Sequence, residues 1–275
     1  MKVWRLQAFP NAPYGGNKAG VVLEASELSD SDMQRIASEV GYSETAFVTP
    51  GTDTDFTVRF FTPTSEVDLC GHATIATFNL LRDQGIIQPG MYTQRTKAGV
   101  LRLDVRADMV FMEQNTPRFF ETLETSDMER CFKEQNIIDH SLPIQVVSTG
   151  MKEIFVPIQD VETLHSLTPN INEIRHVSED FDAIGLHAFA LADEVDAYGR
   201  NFAPVVGISE ESATGTSNGA LSCYLYQYVR QSTEYTLRQG FSMNQPSEIH
   251  TKLDIENGTI VSVWVGGTAI LVEKD

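Results

Sequence analysis

Apolar and polar residues alternate over residues 3–9, which predicts a strand, and Pro13-Tyr14 with Gly15-Gly16 predicts a tight loop after it. A short strand follows at 20–23. Met33, Ile36 and Val40 recur at helical spacing behind Ser29 and Ser31, so a capped helix begins near Asp30. Phe-, Val- and Thr-rich runs at 43–49 and 55–61 read as strands. Ile75, Phe78, Asn79 and Arg82 place a helix over 71–82. Residues 91–97 and 100–105 form a hairpin turning at Ala98-Gly99, followed by a strand at 110–114. Further strands are expected at 144–148, 153–157, 185–190 and 198–202. A helix is expected over 217–229 on Leu221, Leu225 and Tyr228. Strands at 234–239, 249–255, 259–266 and 269–273 complete the pattern, the last placed to close the first sheet.

The second half repeats the first. Arg59-Phe60-Phe61-Thr62-Pro63 returns as Arg200-Asn201-Phe202-Ala203-Pro204, an offset of 141 (200 minus 59). Ala46-Phe47 matches Ala188-Phe189 at offset 142, Tyr92-Thr93 matches Tyr235-Thr236 at 143, and Gly71-His72-Ala73-Thr74 matches Gly215-Thr216-Ser217-Asn218 at 144. A repeat of this length means duplicated lobes rather than a solenoid. The expected fold class is α+β: two pseudosymmetric lobes, each a curled, mainly antiparallel sheet or barrel wrapped on a central helix. The first lobe spans 1–116 with a C-terminal strand at about 268–275, the second spans 117–267, and the active site is expected in the cleft between them. Aligned this way, Glu44 of the first lobe faces Leu186 of the second, so only one lobe carries a carboxylate at that place.

The chain has 275 residues, 41% hydrophobic and 21% charged, with a net charge of −18. That charge argues against nucleic acid or an anionic membrane as partner, and an anionic ligand would need local donors. Cys70, Cys131 and Cys223 are widely spaced, with neither metal-type pairing nor a disulfide framework, so reduced thiols and a cytoplasmic location are expected. No apolar run reaches the roughly 20 residues of a membrane helix.

Two short polar turns precede the repeated helices, Asp68 to Thr74 and Ser212 to Asn218. Glycine permits a sharp entry at Gly71 and Gly215, and uncapped first-turn amides with the helix dipole attract carboxylate or phosphate. Each turn could also be an ordinary helix start. No P-loop lysine and no dinucleotide G-x-G-x-x-G is present. Glu44 opens the apolar run Thr45-Ala46-Phe47-Val48, where poor hydration should raise its pKa and suit it to proton transfer; an exposed edge-strand glutamate is the plainer alternative. His72 could bond the substrate or share the Glu44 proton, or be a simple capping-region histidine. No second His, Cys or carboxylate lies at a ligand spacing from it, so no metal is expected. Cys70 precedes a helix start, yet its counterpart is Thr214, so a two-thiol racemase device is missing and a buried small residue is the preferred reading. Glu210 or Glu211 could meet a substrate ammonium, a hydroxyl or the Glu44 proton network, and Glu211 is taken with Glu44 and His72 as catalytic; a solvated acidic pair is the plainer alternative. Asn17, Ser43, Asp68, Ala73, Thr216, Ser217 and Asn218 are further polar-turn positions that could line the same site.

These residues resemble the phenazine-biosynthesis PhzF-like family. The likeness runs from Gly16-Asn17-Lys18-Ala19-Gly20 through Ser43-Glu44-Thr45-Ala46-Phe47, Arg59 to Pro63 and Asp68-Leu69-Cys70-Gly71-His72-Ala73-Thr74 to Ala213-Thr214-Gly215-Thr216-Ser217-Asn218 and Gln239-Gly240. It is weakest over 117–180. The resemblance implies the diaminopimelate-epimerase-like fold, cofactor-free isomerase chemistry, Glu44 and His72 as catalytic groups, and a homodimer. Where the family commonly has aspartate and proline ahead of the second turn, this chain has Glu211-Ser212, which adds a methylene and removes a rigid ring. The expected function is an isomerase without cofactor or metal. It moves a proton on a small carboxylate with Glu44 as single acid/base. A non-catalytic metabolite-binding protein and a racemase or epimerase are the alternatives.

Overall fold

The computed structural model describes residues 2–11 and 13–272. The chain divides into two compact units, one ending at Glu113 and resuming at Gly266, the other Gln114–Val265. The first contains β1 (Trp4–Ala8), β2 (Asn17–Val22), α1 (Asp30–Val40), β3 (Glu44–Pro50), β4 (Phe56–Phe61), β5 (Glu66–Val67), α2 (Gly71–Asp83), β6 (Gly90–Thr96), β7 (Gly99–Val105) and β8 (Val110–Gln114). The second contains β9 (Arg118–Leu123), α3 (Thr125–Met128), β10 (Ile144–Ser148), β11 (Lys152–Pro157), α4 (Val161–Ser166), α5 (Ile171–Asp180), β12 (Gly185–Leu191), β13 (Ala197–Ala203), β14 (Ile208–Glu211), α6 (Gly215–Tyr228), β15 (Glu234–Gln239), β16 (Ser247–Glu256) and β17 (Thr259–Gly267). A final strand, β18 (Ala269–Leu271), pairs antiparallel with β1, Leu6 opposite Leu271. The expected end of this strand at Glu273 lies outside the described residues.

α1 forms where its cap signal stands. The Ser29 hydroxyl accepts from the Asp32 amide at 3.2 Å, and Asp32 reciprocates at 3.4 Å. α2 is different: every residue from His72 to Leu81 is buried. A helix buried all round must be enclosed, and α2 packs on β1, β2, β3, β7 and β18 of its own unit. α6 is enclosed in the same way: Leu221, Tyr224 and Leu225 pack with Val147, Phe155, Phe189, Leu237, Leu253 and Val263. Each unit is therefore a sheet wrapped on one helix. Among the described residues, no helix is long and apolar enough to cross a membrane.

The strand registers carry the duplication. In the first unit β2 runs parallel to β3, β3 antiparallel to β4, and β4 parallel to β6. The second has β11 parallel to β12, β12 antiparallel to β13, and β13 parallel to β15. An ion pair is duplicated too: Arg59 Nε meets Glu66 Oε1 at 2.7 Å, and Arg200 Nε meets Glu210 Oε1 at 2.8 Å. In both units the guanidinium lies 5.1 Å from the phenyl ring two residues on.

The same registers correct the alignment around Glu44. Thr45 pairs with Phe61, and Leu186 pairs with Phe202. The counterpart of Leu186 is thus Thr45, and that of Glu44 is Gly185 (44 plus 141). A Cβ at position 185 would sit 2.0 Å from the Phe202 carbonyl oxygen. No side chain of any kind fits there, so the second unit has no room for a carboxylate at the duplicated position.

Candidate active site

Five polar side chains of the first unit meet at the entrance of α2. Glu44 opens β3 and Asn17 opens β2, two parallel neighbours in which Ala19 lies beside Glu44. Cys70 caps α2 by backbone only, and His72 is the second helical residue. His72 Nε2 lies 3.2 Å from Glu44 Oε2 and 3.4 Å from Ser43 Oγ. Its Nδ1 lies 3.3 Å from Asn17 Nδ2 and 3.4 Å from Cys70 Sγ. His72 is 6% exposed, while the Glu44 side chain keeps 21% of its surface open. One carboxylate oxygen is therefore engaged by a buried imidazole in a group that solvent or a ligand can still reach.

The sequence-based expectation that burial raises the Glu44 pKa is reversed. Burial does push it up, and is the largest single influence. The His72 hydrogen bond and charge, with bonds from Ser43 and Cys70, outweigh it and hold the carboxyl below the ordinary glutamate range. For His72, burial works downward, while the Cys70 sulfur and the Glu44 carboxylate raise it well above an ordinary histidine. Glu44 is accordingly a carboxylate at neutral pH. Burial pushes the Cys70 thiol up, which keeps it protonated in spite of its place at a helix start.

The glycines at the two helix starts are not there for a left-handed turn. Gly71 and Gly215 are absent from the positive-φ positions among the described residues. A Cβ at Gly71 would find its nearest neighbour, Met112 Cε, at 3.4 Å. Cys70 and Thr214 occupy the cap positions and neither side chain caps its helix; the first turns carry no acidic residue.

The other expected site residues fall into separate environments. Asp68 is exposed, and its carbonyl accepts from the Ala98 amide at 3.2 Å. Ala73 is fully buried, amide included, and that amide is engaged with Cys70. Glu210 is committed to Arg200 and Ser242. Glu211 Oε2 accepts from Thr214 Oγ1 at 2.9 Å, and the Glu211 carbonyl accepts from Gln239 Nε2 at 2.7 Å. Thr216 is half-buried and its carbonyl accepts from Thr149 Oγ1 at 3.2 Å. Ser217 is 2% exposed and its hydroxyl donates to Glu153 Oε1 at 2.7 Å.

That last contact opens a buried cluster that sequence reasoning missed. Asn201 Nδ2 donates to Glu153 Oε2 at 2.9 Å and lies 3.3 Å from His187 Nδ1. Burial lifts Glu153 to about 7, against the hydrogen bonds from Ser217 and Asn201. It lowers His187 to about 3. A signal was available: Asn201 stands where the first copy has the buried Phe60 (60 plus 141), a polar residue replacing an aromatic in a strand. Because the folded state holds the Glu153 proton and the unfolded chain releases it near 4.5, this group stabilises most at low pH. The contribution fades as pH rises toward 7. His187 has the opposite slope below 6.5, so only a difference between variants isolates Glu153. Glu153→Gln keeps a donor and an acceptor, and urea unfolding should show it more stable than the parent by about 1–2 kcal/mol at pH 8. That advantage should shrink toward pH 5; an equal difference at both values contradicts a proton held at Glu153.

The comparisons agree with this architecture. Residues 6–275 match the family model of phenazine biosynthesis-like proteins. An uncharacterized isomerase of Clostridium acetobutylicum is 32% identical over 290 residues, covering 99% of this chain and 96% of its own. A Bacillus anthracis protein of the PhzF family superposes with a TM-score of 0.90 at 30% identity, covering 99% of this chain and 98% of that one. A probable proline racemase of Agrobacterium radiobacter shares the fold alone, with a TM-score of 0.63 at 12% identity over 99% of this chain and 92% of its own. A diaminopimelate-epimerase-like fold with a glutamate–histidine pair at a helix start defines the class: the chain belongs to the phenazine biosynthesis-like (PhzF) family. It is an enzyme of the isomerase class.

Proposed function

We propose that this enzyme shifts a proton between two carbons of a small unsaturated carboxylic acid bearing an amine or hydroxyl, with Glu44 as the single proton carrier. The observation that carries the reading is the contact of Glu44 with His72 at 3.2 Å beside the uncapped start of α2. The amides of Gly71 and His72 hold the substrate carboxylate. They also stabilise the charge that develops as a neighbouring carbon gives up its proton. The leaving C–H electron pair delocalises toward the carboxylate and the double bond, and the proton goes to Glu44. Glu44 then returns it to a second carbon on the same face, and the double bond moves. His72 donates to Glu44 while it is a carboxylate, which sets its ionisation and its aim. One carrier on one face shifts hydrogen between carbons, whereas inversion at carbon wants a second group on the opposite face. By the same physics the uncapped start of α6 at Gly215 is an anion-holding end within its own unit, where Thr214 donates to Glu211.

The test is incubation in D2O with a panel of small unsaturated amino and hydroxy acids, read by mass spectrometry. A compound that gains deuterium at one carbon and shifts its double bond supports the reading. One that binds tightly and never exchanges would make the protein a binder instead. Gly71→Ala separates fold from ligand binding, since a Cβ there meets nothing closer than 3.4 Å. Its melting temperature should match the parent while carboxylate affinity drops roughly tenfold, about the worth of one charge-assisted hydrogen bond.

A further inference from the structure

The second unit fastens an acidic side chain to a buried amide through bonds whose directions are all fixed. Gln239 ends β15 and is 1% exposed. Its Oε1 accepts from the Thr214 backbone amide at 3.2 Å, and its Nε2 donates to the Glu211 carbonyl at 2.7 Å. A backbone amide only donates and a carbonyl only accepts, so the Gln239 side chain has a single orientation. Oε1 also accepts from Asn218 Nδ2 at 2.7 Å, and Nε2 also donates to Thr214 Oγ1 at 3.1 Å. Both lone pairs and both hydrogens of the amide are thereby used. Thr214 Oγ1, having accepted from Gln239, turns its own hydrogen to Glu211 Oε2 at 2.9 Å. We propose that Gln239 is a positioning residue: acting through Thr214, it holds the Glu211 carboxylate in one orientation at the start of α6, as the acceptor for an N–H or O–H group of the ligand.

The backbone is built to keep this tether in place. Gly240 has a φ of +81°, and a Cβ there would sit 2.7 Å from the Ser212 carbonyl oxygen. The end of β15 therefore lies directly on the residue that follows Glu211. Glu211 itself pairs with Asn201 across β13 and β14. The first unit uses a buried glutamine for a plainer purpose. Gln94 Nε2 donates to Thr74 Oγ1 at 3.0 Å, and Thr74 Oγ1 donates to the Cys70 carbonyl at 2.8 Å. That relay ends on backbone and braces a helix start, whereas the relay from Gln239 ends on a carboxylate. A hydroxyl donating to a carboxylate favours its charged form. It also removes rotamer freedom that a ligand would otherwise have to quench on binding. The ligand half of the proposal rests on the function proposed above; the tether does not.

The tether is tested by NMR titration of the full chain carrying 13C at its glutamate carboxyls, the Glu211 signal being the one missing from Glu211→Gln. In Thr214→Val the Glu211 signal should titrate about one unit higher than in the parent, since one hydrogen bond to the charged form is lost. Thr214→Ser keeps the hydroxyl and should titrate with the parent. Gln239→Met should move the signal in the same direction as Thr214→Val; if it fails to fold, the two Thr214 variants decide. For the ligand half the probes are pairs of small unsaturated acids differing only in an amine or hydroxyl, followed by deuterium exchange in D2O. The parent and Thr214→Ser should favour the amine- or hydroxyl-bearing member. Thr214→Val should lose about tenfold of that preference, in KM rather than kcat. A Glu211 signal that titrates alike in folded Thr214→Val and the parent overturns the tether. A shifted titration with unchanged preference overturns the ligand half and leaves the tether standing. If no compound exchanges with any of these proteins, the proposed function fails and the ligand half with it, while the titration still decides the tether.

Discussion

Gly185→Ala is expected to unfold the second unit. The added Cβ would sit 2.0 Å from the Phe202 carbonyl oxygen and 2.6 Å from the Ala203 Cα. Both are backbone atoms of β13, the strand that pairs with β12 through Leu186 and Phe202. No rotamer change can relieve a clash with backbone, so strands β12 and β13 must separate. Overpacking of a core side chain typically costs 1–3 kcal/mol, and a clash against a fixed strand should exceed about 4 kcal/mol. That approaches the whole stability of an ordinary domain, about 5–15 kcal/mol. Circular dichroism should show lost cooperative melting. A melting temperature within a few degrees of the parent would show that position 185 can hold a side chain.

Glu44→Gln should remove catalysis and spare binding. The variant keeps shape and a hydrogen bond to His72 but cannot accept a proton. General acid/base groups contribute on the order of 10²–10⁴-fold, equivalent to about 3–5 kcal/mol of barrier. Affinity for an anionic ligand should hold or tighten, because a negative charge beside the anion is removed. With His72 holding Glu44 below the ordinary range, the acid limb of the wild-type rate profile should fall below pH 4.5. Activity depends on the carboxylate form, so it is present above that limb and lost as pH falls through it. A Glu44→Gln enzyme with unchanged rate, or an acid limb near 7, contradicts the assignment.

Much of the fold could be read from periodicity and the repeat. The strands at 110–114, 144–148 and 234–239 have the expected bounds, because short turns leave little choice of register. What was missed is equally physical. The helices α4 and α5 are short, and their signals are caps, Asp160 accepting from the Thr163 amide and Asn170 from the Glu173 amide, rather than a long apolar stripe. A one-residue drift in the repeat put Leu186 opposite Glu44, and only strand pairing corrects it to Gly185. Glu44 and His72 could be named from their local strings. The direction of their pKa shifts could not, since it depends on a contact closed across 28 residues (72 minus 44). The Glu153 cluster joins four elements, and no local string announces it.

The central claim is that one carboxylate, kept ionised by a buried histidine, carries the proton. Its most direct test is deuterium uptake from D2O into one exchanging compound, followed by mass spectrometry for the wild type and Glu44→Gln at matched saturation. A rate ratio of at least about 100 is predicted. A ratio near one, with the compound bound to both proteins, would place the proton carrier elsewhere.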